Sequence, residues 1–236
     1  MADHAQYLNL PPSFAGRVRL FPLPNLVMFP GVVQPLHVFE QRYVELLEDA
    51  LATDKLIAMA ALEPGWEPDY EGRPKIAPLV CIGRVVSHAR TEQGKYNLLL
   101  LGCRRARIVG ELPPARSFRE AEVQLLGDVY NPTGAARRGA LQQKLVESLR
   151  PYVAASPAAQ QQFQQLLASD VSLGQVTDIV AHTLELDLPE KLKLLGECNV
   201  DRRAEMLLVM IEAMINQVKE SSSRPGQAFP PEFSEN

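Results

Sequence analysis

Between Leu20 and Glu40 the chain threads Pro22, Pro24, Pro30 and Pro35 through a run of large apolar residues that includes Phe21, Leu26, Val27, Met28, Phe29 and Val38. Proline fixes its own φ and has no amide to donate, so neither a regular helix nor a central strand can run through this pattern. The apolar side chains still require burial. The segment must therefore fold as short extended pieces broken by turns, all packed onto one core.

With 236 residues the chain can form one large domain or two small ones around a substantial core. Charge is close to balanced, with 24 Lys and Arg against 28 Asp and Glu, and it is spread evenly. Neither half is a polycation, so nonspecific attraction to a phosphate backbone does not dominate. Cys81, Cys103 and Cys198 are far apart and odd in number, which reads as reduced, mostly buried thiols. Asp3 and the absence of an apolar h-region make the N-terminus unlike a signal peptide. No apolar run approaches the roughly 20 residues of a membrane span. A cytoplasmic protein is expected.

From Arg17 to Asp128 the chain reads mainly as strands. Ala121, Val123 and Leu125 alternate with Glu120, Glu122 and Gln124, the two-residue period of a strand with one wet face. The nearly continuous apolar run from Tyr96 to Leu101 suits a strand buried on both faces. Thr91-Glu92-Gln93-Gly94 supplies a hairpin turn from the preceding strand, Leu79 to Ala89. One helix interrupts the strands, with Phe39, Tyr43, Leu46, Leu47, Ala50 and Leu51 on one stripe. Beyond the turn cluster Asn131-Pro132-Thr133-Gly134 the period becomes helical. Helices are expected from Ala135 to Leu149, from Pro157 to Leu167, after the capping signals Ser172 and Asp187, and finally after Asn199 or Val200. Met206, Met210 and Met214 recur every four residues on the last one and read as core filler.

The proline-rich segment resembles the opening of the Lon N-terminal domain, the substrate-binding module of Lon-type ATP-dependent proteases. The resemblance continues through Phe39-Glu40-Gln41-Arg42-Tyr43, Glu63-Pro64-Gly65-Trp66, Tyr70-Glu71-Gly72-Arg73-Pro74, Gly83-Arg84-Val85-Val86, the run Gly94 to Gly102, and Arg105-Ala106-Arg107-Ile108. Weaker similarity reaches Lys193-Leu194-Leu195 and Val200-Asp201-Arg202-Arg203, so that roughly residues 17 to 218 are covered. The resemblance implies an α+β fold: a PUA-like, mostly antiparallel β pseudo-barrel with one helix, followed by an all-α helical domain. The expected division is an extension at 1–16, the barrel at 17–128, a linker at 129–138, the helical domain at 139–219 and a disordered tail at 220–236.

A full-length Lon protease also hydrolyses ATP and cleaves peptides. The phosphate loop G-x-x-x-x-G-K-[ST] has no match: Gly94-Lys95 is followed by Tyr96, with Ala89 where the first glycine belongs. The Ser–Lys dyad belongs to a separate C-terminal domain, and the chain is expected to end before one begins. His4, His37, His88 and His182 have no His, Cys or Glu at metal-ligand spacing and read as structural or surface residues. Glu48-Asp49 and the pair Glu120 and Glu122 read as solvated faces. No enzyme, cofactor or metal is expected.

Two stretches stand out as binding candidates. Residues Glu63 to Ile76 carry too many breakers for regular structure, yet hold Trp66, the single Trp of the chain, and Tyr70. Loop aromatics anchor partners because they offer large contact area for little lost entropy; the plainer reading makes Trp66 a lid on the barrel. Arg105 and Arg107 share a strand face, with Arg84 on a neighbouring strand. That cluster reads either as a solvated face paired with Glu120 and Glu122 or as a modest anion or acidic-segment site. The expected function is non-catalytic polypeptide binding, as an adaptor or regulator of proteolysis. Its expected partners are unfolded or client polypeptides and a Lon-type or other ATP-dependent protease. A PUA-like RNA-binding module is the alternative, and an uncharacterised hydrolase the third reading.

Overall fold

Proline and strand coexist in this chain because each strand proline falls near a strand end, as Pro22 and Pro78 do, or on the edge of the sheet, as Pro35 does. A computed structural model describes residues 8–153 and 171–223. Strand β1 (Arg17–Leu23) admits Pro22 near its end, and β2 (Val33–Val38) carries Pro35. Between them, Asn25 and Gly31 take positive φ, the turns that the prolines demand. Helix α1 (Gln41–Ala52) follows, then β3 (Leu56–Leu62), a 3₁₀ turn (Glu67–Asp69), and the long strands β4 (Ile76–Arg90), β5 (Tyr96–Glu111) and β6 (Arg119–Leu126).

The strand order is β2-β5-β4-β3-β1-β6, and β6 also pairs with β5, which closes the sheet on itself. Among the described strands only β1 and β3 run parallel; every other pair is antiparallel. The interior is filled by Leu20, Leu56, Ala58, Ala60, Val80 and Ile82 among others. These side chains pack the inside, so the barrel is a core and not a ligand container. Strand β3 is buried on both faces, because alternate residues Ile57, Met59 and Ala61 join a second, larger core outside the barrel.

That outer core is covered by helices. Helix α2 (Arg138–Val153), α3 (Leu173–Thr183), α4 (Leu188–Gly196) and α5 (Val200–Ser223) follow the barrel in sequence. The helix expected from Pro157 to Leu167 lies outside the described residues, as does residue 224 onward of the expected tail. Ser172 with Gln175, and Asp187 with Glu190, form the two capping boxes read from the sequence. Met206 and Met210 pack partly buried against the core. Among the described residues no helix is long and apolar enough to cross a membrane.

The run Tyr96 to Leu101 departs from the expectation of burial on both faces. Asn97 and Leu99 are exposed, Leu99 by 40%. Here β5 has left the barrel and pairs with β2 and the outer half of β4 as a three-stranded extension. Among the described residues no helix covers its outer face, so an apolar sequence there is exposed.

Candidate functional site

The irregular segment after β3 is held in place by the start of helix α1. Glu40 is extended (φ −73, ψ 135) and ends the strand-like path, which puts Arg42 and Tyr43 in the first helical turn. Tyr43 faces inward against Phe21, with ring centroids 4.4 Å apart. Arg42 faces the loop. Its guanidinium lies 4.8 Å from the centre of the Tyr43 ring and 4.9 Å from that of Tyr70, sandwiched between two aromatic faces. Both of its terminal nitrogens donate to the Tyr70 carbonyl at 3.2 Å, and its Nε donates to Glu40 at 3.0 Å. The Tyr70 hydroxyl donates to the other Glu40 oxygen. One ion pair therefore fixes both the backbone and the ring of Tyr70.

Trp66 meets Tyr70 edge to face at 5.3 Å, and both are half-buried. The loop thus brings together the two aromatics singled out in the sequence, and places Tyr70 on the wall of a cleft of about 250 Å³. Its apolar lining includes Pro22, Tyr43, Leu62 and Phe118. Arg42, Arg73, Arg116 and Arg119 line it as well. These arginines come from helix α1, the loop before β4, the loop before β6 and β6 itself. Arg119 is anchored by Glu111 and by the Pro74 carbonyl, which it reaches at 2.7 Å; Arg73 also donates to Glu111, at 2.9 Å. Arg116 donates to Asp49 at 2.7 Å.

Burial pushes the Tyr43 phenol far above its ordinary value. Burial, then the hydrogen bond to Glu40, raise Tyr70 as well. Burial works against ionisation of Glu111, but the hydrogen bonds from Arg119 and Arg73 hold its carboxyl below the usual range. Phenols stay neutral and that carboxylate stays ionised near neutral pH. The cleft is built for stacking and charge recognition. Among the described residues no group of three His, Cys, Asp or Glu is placed to hold a metal ion.

The structure does not bring Arg84, Arg105 and Arg107 into one anion site. Arg105 is only 2% exposed, and its guanidinium already holds Asp178 at 2.6 Å. Arg107 lies on the same strand face and is exposed. Arg84 donates to the carbonyl of Asn9 at 2.8 Å. Glu120 meets Arg116, 3.8 Å away, and not the predicted β5 arginines. The reason is the helical layer: α3 and α4 bring Asp178 and the Leu195 carbonyl onto the sheet face where Arg105 emerges. Of the other candidates, His37 shares a hydrogen bond with Asn97 at 2.7 Å, and His88 is exposed on β4.

Sequence reasoning missed the four cleft arginines. Arg116-Ser117-Phe118-Arg119 carried a local signal, an aromatic flanked by cations. Arg42 and Arg73 carried none, since only the folded loop brings them together.

Comparison with known proteins places this geometry. The family model for the ATP-dependent protease La (LON) substrate-binding domain matches residues 17–213. Lon protease 2 of Myxococcus xanthus is 27% identical over 201 residues, which are 85% of this chain and 24% of that protein. The chain thus spans about a quarter of the length of such relatives. A Lon N-terminal domain protein from Xanthomonas campestris has a similar structure, with TM-score 0.58, 25% identity, and coverage of 82% of this chain and 97% of that one. The N-terminal domain of Mycobacterium avium complex Lon protease shares the fold at TM-score 0.61 and 15% identity, over 83% of this chain and 98% of that one. Most of the chain, including every residue of the cleft, lies within the matched span, and the chain belongs to the Lon substrate-binding domain family.

Proposed function

We propose that this chain is a non-catalytic module that binds unfolded or client polypeptides and acts as an adaptor or regulator of an ATP-dependent protease. The observation that carries the reading is the half-exposed aromatic pair Trp66 and Tyr70, with Tyr70 on the cleft wall, in a chain of a substrate-binding family. Unfolded segments present apolar and aromatic side chains, and a rigid aromatic anchor captures them at low entropic cost. We read the barrel as PUA-like, which the closure of the sheet through β6 supports. The missing phosphate loop supports a chain that does not hydrolyse ATP on its own. The test is titration of a chemically unfolded model protein against wild type and Trp66→Ala. Weaker binding by the variant, with an unchanged fold, is expected. Equal binding by both would remove the loop from the function.

A further inference from the structure

We infer that the arginine-lined cleft beneath Tyr70 is a subsite for an acidic side chain next to an aromatic one in an extended polypeptide. The inference rests on the polypeptide-binding reading above and names which segments the site prefers.

The charge of the cleft is lopsided. Arg42, Arg73, Arg116 and Arg119 line it, and Glu71 is the one carboxylate among its lining residues. The carboxylates that hold these arginines in place, Glu40, Glu111 and Asp49, lie outside the lining. The side chains of Arg73 and Arg116 are 37% and 50% exposed, more than the 29% and 22% of their partners Glu111 and Asp49. In both of these pairs the cation is the more exposed member.

The four guanidiniums are not equivalent. Arg119 directs all three of its nitrogens to Glu111 and to the Pro74 carbonyl, and Arg42 is taken up by Glu40 and the Tyr70 carbonyl. These two are fixed walls. Arg73 gives Nη2 to Glu111, while Arg116 gives Nη1 to Asp49, with its Nε 3.8 Å from Glu120. A guanidinium carries five N–H donors, so Arg73 and Arg116 retain donors for an incoming carboxylate.

The remaining lining suits an aromatic ring. Tyr43, Phe118 and Pro22 supply apolar surface, and the Tyr70 ring backed by Arg42 supplies a flat wall. At about 250 Å³ the cleft is below the roughly 300–1,000 Å³ typical of small-molecule sites and is of side-chain scale. An aromatic residue fills the interior while its acidic neighbour meets Arg73 and Arg116 at the rim.

The test uses fluorescein-labelled, N-acetylated and C-amidated Gly-Ser peptides that differ only at a central pair: Phe-Glu, Phe-Gln, Phe-Lys or Ala-Glu. Fluorescence anisotropy at about 0.05 M salt should show Phe-Glu binding about five- to tenfold tighter than Phe-Gln, and tighter still relative to Phe-Lys. Ala-Glu should bind more weakly than Phe-Glu. Raising salt to about 0.5 M should erase the Glu preference but keep the Phe preference. Arg116→Glu, at a half-exposed position, should shift the preference toward Phe-Lys; Arg73→Glu serves if that variant does not fold. Equal affinity of wild type for Phe-Glu and Phe-Gln overturns the subsite and leaves polypeptide binding standing. Failure to bind any of the peptides or the unfolded protein overturns both readings, and displacement of Phe-Glu by poly-U RNA at lower concentration than by unlabelled peptide overturns the peptide assignment.

Discussion

Arg105 on β5 holds both carboxylate oxygens of Asp178 on α3, at 2.6 and 2.7 Å, although the two residues are 73 positions apart. Both side chains are almost completely buried. Arg203 on α5 reaches the same place, with its Nε 3.6 Å from Asp178 and both terminal nitrogens on Asp128, which ends the barrel segment. A sheet residue, two helices and the chain crossing between them thus share one ionic centre. Such a centre adds less to stability than its geometry suggests, because desolvation offsets the attraction; removing one member is what costs.

Asp178→Ala should therefore destabilise the fold by about 3–5 kcal/mol in urea denaturation, since it removes the bidentate partner of the buried Arg105 and leaves only Asp128 at 3.6 Å as its carboxylate. The double variant Arg105→Met with Asp178→Leu should lose less than Asp178→Ala alone. Arg203 keeps Asp128 and Thr177 in that background. A double variant as unstable as the single would mean that the pair contributes through packing and not through charge.

Acid should weaken the fold through His182. Its Nδ1 is buried without a hydrogen-bond partner among the described residues. Burial first, and the charge of Lys191 second, hold the imidazole below its usual value. The unfolded chain then takes up a proton near pH 6.5 that the folded chain resists. The stability associated with this group is complete above that pH and declines as pH falls toward the lower folded value. Melting temperatures from pH 8 to pH 5 should fall more steeply for wild type than for His182→Phe. Parallel curves would dismiss the imidazole as the cause.

Gly102 should tolerate no side chain. A Cβ there would sit 2.2 Å from the Phe29 carbonyl oxygen, where Gly31 and Val32 also bond to Gly102. Gly102→Ala should lose about 1–3 kcal/mol by displacing the proline-rich loop. Gly110 is the control, because a Cβ at that position meets nothing within 4 Å. Gly110→Ala should change stability by no more than about 0.5 kcal/mol.

Trp66→Ala should weaken binding of an unfolded model protein by about 1–2 kcal/mol, the lower range for an interface anchor. The melting temperature should stay nearly unchanged, because the ring packs on Tyr70 at the surface and not within either core. A large loss of stability would make the residue a barrel lid.

Residues 129–138 read as a separable linker, yet they are stitched to the helices. Val129 exchanges backbone hydrogen bonds with Cys198 and Val200, and Arg138 binds Asp201 at 2.7 and 2.8 Å. We expect limited proteolysis with mass-spectrometric mapping to leave this stretch intact for as long as the barrel survives. An early cut there would show that the stitching opens in solution.

The order of strands and helices was legible because it depends on local patterns. The alternation around Val123, the glycine turn before Lys95 and the capping boxes at Ser172 and Asp187 act over a few residues, and each stands in the structure where the sequence puts it, except that Leu125 at the end of the alternation is exposed. Trp66 and Tyr70 were also legible, as aromatics in a segment with too many breakers to be regular. What the sequence could not show was which side chains a second layer would cover. Arg105 and Arg107 have the same strand parity and look equivalent until α3 lays Asp178 over only one of them. Leu99 looks like core until β5 is seen to outrun the barrel. The cleft is the clearest case, since its arginines come from positions 42, 73, 116 and 119 and share no periodicity. Periodicity reports the face a residue takes on its own element; which element packs against that face is decided by chain closure in three dimensions.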